Sequence, residues 1–150
     1  MALELRMIAV TDDAGTLIEP AWLQKAEGVH RQLRPQLPED YAKRLSEVFA
    51  NGGRLAVVVA GDSVVGVALW RLIENTHAGR RLYVDDLVSD ESRRSQGAGK
   101  TMLDWLEVKA NSFECDELAL DSGVQRQRAH RFYFREGLHI PAYCFKKALK

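Results

Sequence analysis

Along this 150-residue chain the spacing of apolar positions changes several times, and each change marks an element. Glu4 to Val10 reads as a first strand. From Glu19-Pro20 onward, Trp22, Leu23, Ala26, Val29 and Leu33 recur at helical spacing, and Pro35 stops that helix. A second helix begins near Pro38-Glu39-Asp40 with Tyr41, Leu45, Val48 and Phe49 on one face; Asn51-Gly52-Gly53 closes it with residues that tolerate positive φ. Leu55 to Ala60 and Val64 to Ile73 are β-rich runs separated by Gly61-Asp62, a hairpin signal. Arg80 to Ser89, after a turn at His77-Ala78-Gly79, completes an antiparallel meander. The pattern then turns polar from Asp90 to Gln96, passes Gly97-Ala98-Gly99, and becomes helical again through Met102, Leu103, Leu106, Ala110 and Phe113. A short strand Glu117 to Leu120, a helix from about Arg126 to Arg135 ended by Gly137, and a final strand Tyr143 to Leu149 follow.

The predicted order is βααβββαβαβ. It implies an α/β (α+β) fold, with a mixed, mostly antiparallel central sheet and helices on both faces. A right-handed crossover through the helix after Gly97 would set the strands Arg80 to Ser89 and Glu117 to Leu120 parallel. No repeat and no linker longer than Arg34 to Pro38 interrupts the chain, so one domain over residues 1–150 is expected.

Charge narrows the function. Lys plus Arg and Asp plus Glu both number 21, so no global field exists to hold nucleic acid or an anionic membrane, and any anion site has to be local. No apolar run reaches the ~18 residues of a membrane span. The amino terminus MALELRMIAV lacks the regions of a signal peptide, so the expectation is a cytoplasmic protein with neither nucleic-acid nor membrane partner. Cys115 and Cys144 lie far apart with no CxxC or Cys/His spacing, which argues against a metal site and predicts two small buried hydrophobes.

The residues most informative about chemistry are Arg94-Ser95-Gln96-Gly97-Ala98-Gly99-Lys100-Thr101, between a strand and a helix. Glycines there let backbone approach an anion, successive amides point outward at the helix amino terminus, and the helix dipole favours negative charge. Arg93, Arg94 and Lys100 add positive charge. Gly99-Lys100-Thr101 mimics the end of a P-loop, GxxxxGK[ST], but the first glycine of that pattern falls on Arg94, which excludes the phosphate-wrapping turn.

In its strand-loop-helix context this segment resembles motif A of the GCN5-related N-acetyltransferase superfamily, [QR]xxGx[GA], matched by Arg94, Gly97 and Gly99. Downstream, Ala129-His130-Arg131-Phe132-Tyr133-Phe134-Arg135-Glu136-Gly137-Leu138 resembles the family's AxxFYxxxGF motif, with only the last aromatic changed, to Leu138. The resemblance implies acetyl-CoA as co-substrate. Within the cofactor segment Arg94 to Thr101, its pyrophosphate would lie on the amides of Gln96 to Lys100, and its pantetheine would pair with backbone groups of Leu87, Val88 and Ser89 like an added strand, between two splayed parallel strands. Ser89 and Glu91 stand where valine and proline are common in the family, a change that backbone pairing survives. Tyr133 occupies the position that in many relatives protonates the departing CoA sulfur, and Phe132 reads as packing.

Amine acetylation also needs the attacking ammonium deprotonated. Asp85 and Asp86, adjacent carboxylates on a mostly apolar strand, are the candidate base, and strand alternation would send them to opposite faces, one to the cavity and one to the helix layer. Relatives that deprotonate through ordered water leave the direct role open. Glu74, Asp121, Ser122 and His130 are secondary candidates, and Trp22, His30, Arg31, Arg34 and Tyr41 are candidates to line the acceptor end. The stretch Asp121 to Arg126 before AHRFY, with Phe145 to Leu149, is similar to aminoalkylphosphonate N-acetyltransferases, which points to a small polar amine as substrate. A protein or peptide amine, or a non-catalytic acyl-CoA-binding module, are the alternatives; a homodimer is implied by the habit of relatives.

Overall fold

The run Leu55 to Ala60 is buried at every position, which a strand achieves when both faces of its sheet are covered. In the computed structural model, which describes residues 4–150, the elements are β1 (Leu5–Ala9), α1 (Pro20–Leu33), α2 (Tyr41–Ala50), β2 (Arg54–Ala60), β3 (Ser63–Asn75), β4 (Gly79–Ser89), a short 3₁₀ turn (Glu91–Arg93), α3 (Ala98–Ser112), β5 (Glu117–Leu120) and α4 (Gln127–Arg135). The strands form one sheet in the order β1-β2-β3-β4-β5, antiparallel across the first four. The chain divides into two units, one ending at Ala119 and one running from Leu120 to Lys150.

In the first unit, adjacent residues of β3 show the two layers. Leu69 joins a core with Leu23, Ala26 and Val29 of α1 and Tyr41, Leu45 and Phe49 of α2. Trp70 turns the other way and meets Trp105 of α3 edge-on, with ring centroids 6.3 Å apart. Leu45 and Leu106 are almost completely buried, one under each layer, and full burial of such a side chain stabilises by roughly 1.5–3 kcal/mol. Pro20 opens α1 with φ already set for a helix. The Asp40 carboxylate caps α2 by accepting from the amide of Lys43 at 3.0 Å. α3 lies close to β3 because position 66 is glycine: a Cβ there would stand 2.6 Å from Val58 Cγ1 and 2.8 Å from Met102 Cε.

One irregularity in the sheet bears on the site. Between β3 and β4, Leu69 opposes Asp86 and Trp70 opposes Val84, which leaves Asp85 as an extra residue on the β4 side, a β-bulge. The bulge overturns the expected alternation of Asp85 and Asp86 to opposite faces.

The second unit contains α4, which ends as its sequence predicts. Gly137 takes φ 92°, its amide donates to Phe134 O at 3.1 Å and that of Leu138 to Tyr133 O at 3.0 Å, the two bonds of a Schellman terminus. The expected final strand Tyr143 to Leu149 does not form: no helix or strand follows α4. Tyr143, Phe145 and Leu149 are almost fully exposed; alternation identifies a possible strand, but a strand exists only when a neighbour satisfies its backbone. Cys144 falls in this segment and is exposed, while Cys115, just past α3, is half-buried. Neither is the buried hydrophobe expected of it.

Candidate active site

The polar run after β4 is built to present backbone amides. Asp90 caps the 3₁₀ turn by accepting from the Ser92 amide at 3.2 Å. Ser95 and Gly97 then both adopt left-handed torsions, φ 65° and 91°, and Gly97 is the residue immediately preceding α3. The first i to i+4 bond of that helix runs from the Thr101 amide to Gly97 O at 2.9 Å, so the amides of Ala98, Gly99 and Lys100 precede the helical ladder at its amino terminus. Left-handed residues in a turn that leads into a helix turn successive amides toward one concavity, where the helix dipole adds to their pull on an anion. Arg94, Ser95, Gln96 and Gly97 are exposed, Ala98 is buried beneath them, and Lys100 ion-pairs with Asp104 at 3.4 Å. The loop thus combines backbone amides at a helix amino terminus with the exposed side chains of Arg94 and Lys100. Nearby, Leu87, Val88 and Ser89 close β4 opposite Ala68, Val67 and Gly66 of β3. On the far side, β5 starts beside Arg80 and Arg81 (Asp116 N to Arg80 O 2.6 Å, Arg81 Nε to Glu117 Oε1 3.1 Å). It has four residues against the eleven of β4.

The two carboxylates of β4 are each held. Asp85 accepts from Arg71 Nε at 3.0 Å on both oxygens, and Arg71 is itself anchored to Asn51 O at the end of α2. Asp86 is buried; its Oδ1 accepts from Arg34 Nε and its Oδ2 meets His30 Nε2, both at 2.7 Å. The same Arg34 donates to the backbone oxygen of Asp85 at 3.1 Å. On the other side of the imidazole, His30 Nδ1 lies 2.8 Å from the Tyr41 hydroxyl. Burial pushes the Asp86 carboxyl up, but the bonds and charges of His30 and Arg34 outweigh it and hold the group below the ordinary carboxylate range. Burial, aided by the negative charges of Glu27 and Asp86, raises the Tyr41 phenol far above its usual value.

Of the residues suggested for the acceptor end, His30, Arg34 and Tyr41 therefore converge on Asp86. Arg31 instead ties the α1–α2 connection, donating to Glu27 Oε2 at 2.8 Å and Leu37 O at 2.7 Å. Trp22 is half-buried under Lys25, whose Nζ stands 4.6 Å from the ring centroid. Glu74 pairs with Arg80 at 2.8 Å. The sequence reading did not foresee the His30–Asp86 pair. A signal was available: Leu23, Ala26, His30 and Leu33 lie on one helical stripe, and a polar residue on a buried stripe needs a partner.

In the second unit, Tyr133 lies on α4, half-buried, with the Phe132 ring centroid 5.4 Å away. Burial raises its phenol above the ordinary tyrosine value, partly offset by Arg126, so the hydroxyl keeps its proton at neutral pH. His130 Nε2 donates to Gly123 O at 2.8 Å, which ties α4 to the preceding loop. Asp121 is exposed, and the half-buried Ser122 has no hydrogen-bond partner for its Oγ among the described residues.

Among the described residues no cluster of His, Cys, Asp and Glu could hold a metal ion, and no helix is long and apolar enough to cross a membrane. Residues 20–138 match the model of the acetyltransferase (GNAT) family. The chain is 40% identical over 119 residues to the uncharacterized N-acetyltransferase YhdJ of Bacillus subtilis (strain 168), covering 77% of this chain and 84% of that protein. It is 32% identical over 89 residues to the aminoalkylphosphonate N-acetyltransferase of Salmonella typhimurium (strain LT2), covering 59% and 58% of the two chains. Its fold superimposes on the aminoglycoside N-acetyltransferase AAC(6')-Iy in complex with CoA with a TM-score of 0.82 at 14% identity, over 100% of this chain and 98% of that one.

Proposed function

The chain belongs to the acetyltransferase (GNAT) family and is an N-acetyltransferase, and from that premise we propose that it transfers the acetyl group of acetyl-CoA to the primary amine of a small polar molecule, by direct attack with both substrates bound. The observation that carries the acetyl-CoA assignment is the left-handed pair Ser95 and Gly97 leading into the amino terminus of α3. The amides at such a terminus match the charge of a diphosphate. The backbone of Leu87, Val88 and Ser89 pairs with the pantetheine; the shortness of β5 beside β4 supports this, because a strand that outruns its neighbour has edge groups to offer. A small amine as acceptor is supported by the similarity to an aminoalkylphosphonate N-acetyltransferase.

The reaction forms a bond from the amine nitrogen to the acetyl carbonyl carbon and breaks the carbon–sulfur bond, releasing CoA as a thiol. The ammonium proton leaves toward the Asp85–Asp86 pair, with Asp86 as the base, directly or through one water. Asp86 is ionised throughout the neutral range, so it can accept, as a weaker base than an ordinary carboxylate. Tyr133, protonated at neutral pH, supplies the proton that the thiolate gains.

Thiol release from acetyl-CoA, measured over a panel of small aminophosphonates, aminosugars and lysine peptides, tests the reading. Turnover with one class of small amine is the expected result. Stabilisation by acetyl-CoA without thiol release from any amine would make the chain a binder, and turnover confined to peptides would move the acceptor to proteins.

A further inference from the structure

The contact between His30 and Asp86 is a buried one between two titratable side chains, with His30 only 1% exposed. A side chain so enclosed does not touch substrate, and its effect on the reaction has to pass through the group it holds. We propose that His30 is a positioning residue: Tyr41 steadies the ring at Nδ1, and the N–H on Nε2 in turn holds the Asp86 carboxylate in one orientation. The proposal rests on the reading of Asp86 as the base.

The hydrogen bonds fix the proton that faces Asp86. An ionised carboxylate only accepts, so the 2.7 Å contact between His30 Nε2 and Asp86 Oδ2 requires hydrogen on Nε2. At the other nitrogen, Nδ1 lies 2.8 Å from the Tyr41 hydroxyl, which donates to it when the ring is neutral and accepts from it when the ring is charged, so the ring is held at both ends in either state. Burial strengthens the hold of that phenol on its proton, so it stays a neutral hydroxyl over the whole working range. Each member of the chain Tyr41, His30, Asp86 comes from a different element, α2, α1 and β4, so the assembled helices over the sheet set the orientation of the carboxylate.

The groups facing Asp86 are few and identified. Arg34 of α1 occupies Oδ1. Arg71 of β3 lies close enough to feel both Asp85 and Asp86. Asp85 is the chain neighbour, neutralised by Arg71, and Glu27 and Arg31 act at the Tyr41 end. Without the imidazole, Arg34 alone contacts the carboxylate, and the burial that opposes its charge remains. Asp86 then holds protons more tightly and loses its fixed rotamer.

The test combines carbon-13 NMR titration of the Asp86 carboxyl in the full-length protein with pH profiles of kcat, for His30→Met, His30→Gln, Tyr41→Phe and Asp86→Asn. Met fills the space without a donor, whereas the Gln amide restores a donor toward Asp86. For His30→Met the Asp86 midpoint is expected to rise by roughly tenfold in proton affinity or more. The acid limb of kcat moves with it, and the KM for acetyl-CoA stays within about twofold. His30→Gln recovers most of the shift, and Tyr41→Phe, which frees the ring at Nδ1, gives a smaller shift in the same direction. An Asp86 midpoint that stays put in both His30→Met and Tyr41→Phe overturns the proposal. If His30→Met fails to fold, Tyr41→Phe and His30→Gln decide it by the same midpoint. Full activity in Asp86→Asn removes the base assignment instead, and with it any part for His30 in the reaction, so the two failures are told apart.

Discussion

Replacing Gly97 isolates what the cofactor loop asks of its backbone. The residue sits at φ 91°, ψ 3°, immediately before α3, and a Cβ built there would have Leu5 Cδ1 at 4.0 Å as its nearest neighbour. Space is not the constraint, so any penalty comes from torsion alone. An L-residue in the left-handed region costs roughly 1–2 kcal/mol; asparagine is tolerated better, and a β-branched residue worse. At 1.4 kcal/mol per factor of ten, the alanine penalty corresponds to about five- to thirtyfold in acetyl-CoA affinity if the free loop relaxes to negative φ. If the loop does not relax, the same penalty appears as lost stability of the unliganded protein. Isothermal titration with acetyl-CoA and urea unfolding, run on Gly97→Asn, Gly97→Ala and Gly97→Val, should therefore rank the variants in that order of increasing damage, summed over the two assays. Three variants indistinguishable from the parent in both would refute the claim that a left-handed residue 97 aims the amides of α3.

Other perturbations reach the remaining parts of the account. Tyr133→Phe is expected to lower kcat by roughly one to three orders of magnitude with acetyl-CoA affinity unchanged. Because burial raises the Tyr133 phenol, no loss of rate from its ionisation should be seen in the pH profile below about pH 10. The Asp86 carboxyl is lowered by folding, so its ionic contribution to stability is complete above the unfolded carboxylate value, near pH 4, and disappears as pH falls through the lower folded one. Urea midpoints of the parent and Asp86→Asn should accordingly differ at pH 6 and converge as the pH drops well below about 4. Gly66→Ala forces a methyl against Val58 and Met102, and unfolding should show a loss of about 1–3 kcal/mol from overpacking.

How much of this was legible in the sequence depended on whether the signal was local. Pro20, Pro35 and Asn51-Gly52-Gly53 bracket α1 and α2 closely because they act on their own backbone torsions. Gly97 and Gly137 likewise appear where a left-handed residue is needed, one before α3 and one after α4. Three features that depend on distant partners were misread or missed. The alternating Tyr143, Phe145 and Leu149 have the pattern of a strand but remain exposed, since pattern does not supply a neighbour. Asp85 and Asp86 do not follow simple alternation because β3 and β4 slip by one residue between Leu69 and Trp70, and a bulge belongs to a strand pair rather than to one strand. The third is the imidazole of His30: its place on the buried stripe of α1 was visible, but Asp86, 56 residues away, was not identifiable as its partner until the sheet had been assembled.

The claim on which the rest stands is that the backbone amides at the start of α3 grip a diphosphate. Isothermal titration of the parent and of Gly97→Val with acetyl-CoA and with acetyl-pantetheine, which keeps the thioester and the amides but lacks the diphosphate and the phosphorylated adenosine beyond it, measures that grip as the part of the difference that the substitution removes. The account predicts binding of acetyl-CoA tighter by about a hundredfold or more, a difference of roughly 2.7 kcal/mol, that shrinks as Gly97→Val is introduced. Equal affinity for the two, or a difference that Gly97→Val leaves intact, would contradict it.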